Sequence, residues 1–234
     1  MSSRIGHPLA YPLCVTIGAL AVLTAWAPFA DPDQLSALVV VGTGIVGYSG
    51  YRVAVALGVV GRRAEGPSTT VAVRRVRQEY QLVSRSWLEL RDGGDDRWLP
   101  VYFTPELIGF TGGTALLTER QIVLRPEPGG TEPTDGGHLE FRVLPAGRAR
   151  ASEPPGRLVD NPTRVDPEAE TRVATTTKTT RRLLLDAQPA VAAPFVALLW
   201  LYVMGGGTGA FVAAMCVAAA TGAWLGAIRG SDPS

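Results

Sequence analysis

The residues most suggestive of chemistry form the run Val39-Val40-Val41-Gly42-Thr43-Gly44-Ile45-Val46-Gly47, which has the GxGxxG spacing of a dinucleotide-binding turn. Such glycines let a strand-to-helix turn approach a pyrophosphate, and an acid at the end of the next strand holds the ribose. Here Arg62, Arg63 and a Gly66-Pro67 break follow instead, with Glu65 in the turn, and no later βαβ repeat supplies a sheet. A glycine-rich membrane helix accounts for the same residues, so no cofactor is expected.

Other reactive side chains are scattered. Cys14 and Cys216 both fall in apolar runs, where a thiolate is disfavoured, and the region between has no cysteine for a disulfide or metal site. Adjacent helices could still bring the two together. Asp95-Asp96 and Glu168 with Glu170 occupy turn or helix-start positions that favour solvated caps over acid catalysis. His138 stands beside Gly136-Gly137 without acidic or cysteine neighbours, so no metal is expected. No GxxxxGK[ST], HExxH, GxSxG or CxxC pattern occurs.

The elements that must carry these residues are set by where the hydrophobic 46% of the chain falls. Long apolar runs lie at 8–29, 35–60, 190–204 and 208–228. The first has no charge across its length and, at about 1.5 Å per residue, spans a hydrocarbon layer of about 30 Å. A cleaved signal peptide is the rival reading, with small residues at Ala25-Trp26-Ala27, but Pro28 would follow the cleavage point. The second run contains one charge, Arg52, which either snorkels to the headgroups or follows a helix end near Tyr51. The third run, 190–204, is short and needs the 183–188 entry or the following glycines to span; a re-entrant hairpin is the alternative. Gly205-Gly206-Gly207-Thr208-Gly209 turns the chain into the fourth.

Charge is concentrated between residues 61 and 182, which hold 19 of 22 basic and 17 of 21 acidic residues. So even a balance gives no electrostatic basis for nucleic-acid binding. The turns at 30–34 and 205–209 carry no Lys or Arg, whereas Arg62, Arg63, Arg74, Arg75 and Arg77 follow the second run and Lys178, Arg181 and Arg182 precede the third. The basic-inside bias then places both termini and the central region in the cytoplasm, at the plasma (inner) membrane, with Arg4 and Arg229 in agreement. Arg52, Arg62, Arg63, Arg181 and Arg182 are the expected membrane-surface basic residues.

Within the central region, strands are predicted at 71–80, 82–91, 97–103, 115–125 and 138–144, with a hairpin at Asp92-Gly93-Gly94-Asp95. Leu88 and Leu90 alternate with Trp87, Glu89 and Arg91, as a half-buried strand requires. The Pro/Gly-rich stretches 126–137 and 145–165 read as disordered, exposed loops. A helix from Asp166-Pro167 would lead into the membrane, although the threonines from Thr175 to Thr180 weaken it.

In the last apolar run Ala210, Ala214, Ala218, Gly222 and Gly226 recur every four residues, and Gly50, Ala54 and Gly58 do so in the second. Small residues allow close approach of helix backbones in lipid. These stripes either pack the chain's own helices or seat a membrane-protein partner or a second copy.

The expected fold is therefore membrane α-helical: four transmembrane helices as two hairpins, 1–61 and 183–234, with a small all-β cytoplasmic domain inserted at 62–182. This plan is similar to that of bacterial membrane-anchored pleckstrin-homology-like proteins, a resemblance of architecture alone. The expected function is that of a non-enzymatic accessory or scaffolding protein, with a β domain that binds protein or lipid headgroups. The alternative is a membrane enzyme or carrier acting on a lipid-linked or nucleotide substrate.

Overall fold

The computed structural model describes residues 7–60, 69–80, 82–93, 95–118, 122–126, 140–160 and 169–234. Helix α1 (Ala10–Trp26) runs into a 3-10 turn at Ala27–Phe29, and α2 (Pro32–Ala56) returns beside it. The start of α2 is fixed locally: the Asp31 carboxylate accepts a hydrogen bond from the Gln34 backbone N–H at 2.8 Å, and Pro32 occupies the first turn. At the other end of the chain, α3 (Ala169–Thr176), α4 (Thr179–Asp186), a 3-10 turn (Gln188–Ala192) and α5 (Ala193–Met204) lead to α6 (Thr208–Ile228). Gly205 (φ 71°) and Gly206 (φ 112°) make the reversal between α5 and α6, a conformation that a side chain would oppose.

Four segments, Ala10–Phe29, Pro32–Ala56, Thr179–Met204 and Thr208–Ile228, are long and apolar enough to cross a membrane. The third gains its length from α4 and the 3-10 turn ahead of α5. The single helix expected from Asp166 onward is interrupted between α3 and α4, where Lys178 is extended. Its cause is local: the hydroxyls of Thr175, Thr176 and Thr177 donate to the carbonyls of Thr171, Arg172 and Val173, a competition that loosens a helix.

Ala19 and Leu23 of α1, Ile45 of α2 and Trp224 and Ile228 of α6 form the core of the helical unit. The Trp224 indole N–H donates to the Ser49 hydroxyl at 2.9 Å, which pairs two buried polar groups across the two helices, and its ring meets Tyr48 edge-on. Outward, Phe195, Leu198, Leu199 and Tyr202 of α5 are exposed, as residues facing lipid would be.

The central region is an antiparallel sheet in the order β3-β2-β1-β4-β5-β6, with β7 also paired to β1. The strands are β1 (Thr69–Tyr80), β2 (Val83–Asp92), β3 (Asp95–Val101), β4 (Gly112–Leu117), β5 (Ile122–Pro126), β6 (Phe141–Val143) and β7 (Arg157–Asp160). The β2–β3 hairpin turns where it was predicted, with Asp92 opposite Asp95 and Gly93 at φ 59°. The strand predicted at 115–125 is instead two strands paired to each other, β4 and β5. After β6 the chain crosses to the free edge of β3: Tyr102 N–H donates to Leu144 C=O, Ala146 N–H to Pro100 C=O, and Trp98 and Arg150 exchange both bonds. These contacts close the curl and leave β3 without an open edge over that stretch.

The stretch 145–165 was expected to be a disordered loop, but its described part does not behave so. Residues 144–150 line β3, and Arg157–Asp160 pairs with Val76–Glu79, the half of β1 that β4 does not cover. Backbone pairing rather than apolar patterning holds this segment. The loop expected at 126–137 lies outside the described residues, apart from Pro126 at the end of β5. Val71, Val73, Leu88, Leu90, Leu99, Val101, Leu107, Phe110 and Ile122 fill the interior of the curl, and Val76, Trp87 and Trp98 form a smaller cluster on its outer face.

Candidate functional site at the helix–barrel seam

The GxGxxG glycines Gly42, Gly44 and Gly47 all lie within α2, and a methyl group at Gly44 or Gly47 would meet open space. Among the described residues no strand precedes them, so they do not form the strand-to-helix turn of a dinucleotide site. Cys14 and Cys216 are free thiols on α1 and α6. His138 and Glu168 lie outside the described residues. Among the described residues no group of three metal-ligating side chains converges.

The buried polar groups gather elsewhere, where the ends of the helices meet the sheet. Beyond α6 the chain passes Gly230, at φ 80°, and lays Ser231 and Asp232 along β2. A side chain at Gly230 would collide with Ala146, at 2.7 Å, so glycine is what lets the tail descend between helix and barrel. The Asp232 N–H donates to Ser84 C=O at 2.9 Å. Its carboxylate accepts from the Arg75 guanidinium at 2.7 Å and from the Ser86 hydroxyl at 2.5 Å. Arg75, in the middle of β1, is 1% exposed; its guanidinium also donates to Leu107 C=O and to the Ser234 hydroxyl. Burial pushes the Asp232 carboxyl up, but Arg75, Ser86 and Ser234 outweigh it and hold the group below its ordinary value.

Next to this latch is a second one. The Tyr11 hydroxyl on α1 donates to Asp186 at the end of α4 at 2.5 Å, and the Arg182 guanidinium lies 3.9 Å from the centre of the Tyr11 ring and 5.5 Å from that of Phe103. Gly226 makes room for this acid: a methyl group there would stand 3.0 Å from Asp186 Oδ1. Between the two latches lies a cavity of about 260 Å³, lined in part by Glu79, Ser84, Asp186, Gln188, Ser231 and Asp232.

On the other side of the tail three guanidiniums converge. Arg52 of α2 and Arg229 after α6 both donate to the Tyr48 hydroxyl, at 3.5 and 3.3 Å, and both stack on its ring. Arg85 of β2 faces them: burial, then the Arg229 and Arg52 charges, hold it below the usual arginine range. The Tyr102 hydroxyl closes the group by donating to Ile228 C=O at 2.9 Å.

The sequence-derived candidates are thus divided. Of the α6 stripe, Gly222 and Gly226 pack against Pro189 and Asp186, whereas Ala210 abuts Gly206 in the reversal; Ala214 and Ala218 are partly buried between them. Gly50 faces open space, Ala54 is partly buried, and Gly58 lies beyond the end of α2 at φ 73°. Arg62 and Arg63 lie outside the described residues, while Arg181 reaches Pro233 C=O at 3.4 Å. Sequence reasoning missed Asp186, Asp232 and Arg85. The signal for the first two was that each is a lone acid outside the charged central region, close after arginine. No family model, curated protein or solved structure matches the chain.

Proposed function

We propose that the chain is a non-enzymatic membrane adaptor, in which four transmembrane helices hold a small β barrel rigidly at the cytoplasmic face of the plasma membrane. The observation that carries this reading is the buried Arg75–Asp232 pair. It ties the chain that leaves α6 to the middle of β1 and leaves the barrel little freedom to move relative to the helices. A rigid mount suits a protein that presents a surface to a partner in or on the membrane, or to a second copy. The arginine-free turns and the basic flanks support the cytoplasmic side.

A second reading, a membrane enzyme or carrier for a lipid-linked or nucleotide substrate, is favoured by the 260 Å³ cavity at the seam. Its three acids are already engaged, Asp232 by Arg75 and Ser86, Asp186 by Tyr11 and Glu79 by Arg77, so none presents an unpaired carboxylate to a substrate. The adaptor reading therefore takes precedence. Affinity purification of the full chain in mild detergent, followed by mass spectrometry, tests it. A stoichiometric membrane partner or a defined homo-oligomer is expected, and a monomer that turns over a lipid-linked substrate would replace it with the second reading. Single cysteines at Asp33 and Gly130 test the orientation: only the first should be labelled from outside intact cells.

A further inference from the structure

The arginine cluster at the seam is the feature that the adaptor reading leaves unexplained. Arg52, Arg85 and Arg229 come from α2, β2 and the end of α6, so the fold itself brings them together. Among the described residues none of the three has a carboxylate within ion-pair distance, although the chain as a whole is nearly neutral. Two of them share a single phenol oxygen, that of Tyr48. The Nε–H groups of Arg52 and Arg85 are buried without a hydrogen-bond acceptor. Stacking on Tyr48 offsets part of the repulsion, but a ring face cannot accept the in-plane N–H bonds that a guanidinium offers.

Convergent guanidiniums with unused donors match a phosphate group, whose oxygens accept paired N–H bonds and whose charge relieves the repulsion. The location points to the source. Arg52 lies one turn beyond Tyr48 near the end of α2, Arg229 is the residue after α6, and both helices bury Trp224 and Ser49 deeper in the bundle. The cluster thus sits where an apolar bundle ends and a polar barrel begins, at the level lipid phosphates occupy.

We propose that Arg52, Arg85 and Arg229, with Tyr48, form a phosphate-binding site at the helix–barrel seam that takes the headgroup phosphate of an anionic lipid. The lipid would then act as a third support for the barrel, independent of whether a protein partner exists.

Purified full-length protein in detergent provides the test, with thermal unfolding followed on addition of phosphatidylglycerol, phosphatidylcholine or inorganic phosphate. Phosphatidylglycerol is expected to raise the melting temperature and phosphatidylcholine to do so much less. Stabilisation by millimolar inorganic phosphate equal to that by the lipid would keep the site but assign it to a soluble phosphate. Arg85→Gln should weaken the phosphatidylglycerol effect at least tenfold in apparent affinity and, without anion, should melt at or above the wild-type temperature, because a repelling charge is gone. A purely structural arginine predicts the opposite sign. If Arg85→Gln does not fold, Arg85→Lys keeps the charge but loses the fork and should bind several-fold more weakly. No lipid-dependent shift in the wild type, or an equal shift in the variants, would overturn the proposal.

Discussion

The interior of the barrel and the seam beneath it are built on opposite terms. Inside the barrel, Leu88, Val101, Ile122 and Leu124 are fully buried apolar side chains, placed by alternation along strands whose neighbours are close in sequence. At the seam the buried groups are Arg75, Ser86, Asp186 and Asp232, and the contacts that satisfy them join residues up to 175 apart. An apolar core tolerates a substitution of similar size, because its attraction is nondirectional. A buried ion pair does not tolerate loss of one member, because the other is then left charged and unpaired. The seam is therefore where single substitutions should separate helices from barrel.

The largest effect is expected for Asp232→Ala. Removing this carboxylate strands Arg75 inside the sheet, at a cost of about 3–5 kcal/mol, read as a lower midpoint in chemical or thermal unfolding in detergent. The same pair sets an acid limit. Because the Asp232 carboxyl titrates below its ordinary value of 3.8 when folded, its contribution is fully present above that value and is lost as pH falls through the depressed one. Wild-type protein should lose stability below about pH 4, and Asp232→Ala should lose less over that interval. An identical acid dependence in both would detach the titration from this residue.

A smaller effect is expected within the helical unit. A first methyl group at Gly222 finds ordinary contact with Pro189 at 3.7 Å, but the rest of a leucine has no room, so Gly222→Leu should cost about 1–3 kcal/mol. Gly50→Leu meets open space and should leave stability unchanged. Comparison of the two separates internal packing from a partner seat: loss of a co-purifying protein only in Gly50→Leu would move the partner surface to α2. An unchanged melting temperature in Gly222→Leu would remove the packing role of the α6 stripe.

The smallest effect is expected at the glycines that imitate a nucleotide fingerprint. Gly44 is exposed within α2, so Gly44→Ala should change stability by less than about 1 kcal/mol, if anything upward. Neither form should bind a nicotinamide or flavin cofactor, as checked by absorbance and equilibrium titration. Stoichiometric flavin lost in Gly44→Ala would reverse the reading of this helix.

What the sequence made legible follows the same division. The four apolar segments, the Asp31-Pro32 start of α2, and the β2–β3 hairpin at Gly93 depend on residues within one turn or one hairpin of each other. The break at Lys178 was foreshadowed by the threonines around it but not located, because hydroxyl competition weakens a helix without fixing where it ends. Strand β7 was hidden because Arg157-Leu158-Val159-Asp160 has too few apolar residues to show a period; its place is set by the half of β1 left unpaired. Asp232 and Arg75 carried no pattern at all. One stood near the last residues as a solitary acid, the other among basic residues read as a membrane flank, and only the closed fold brings them within 2.7 Å.

The most direct test of the seam is a double-mutant cycle on Arg75→Met and Asp232→Leu, measured as unfolding free energy of the full chain in one detergent. If the pair is the joint between helices and barrel, each single variant leaves a buried charge and loses several kcal/mol, whereas the double variant recovers much of that loss, a coupling of about 2 kcal/mol or more. Additive losses, with the double variant as unstable as the sum of the singles, would contradict it and leave the helices and the barrel held by apolar contact alone.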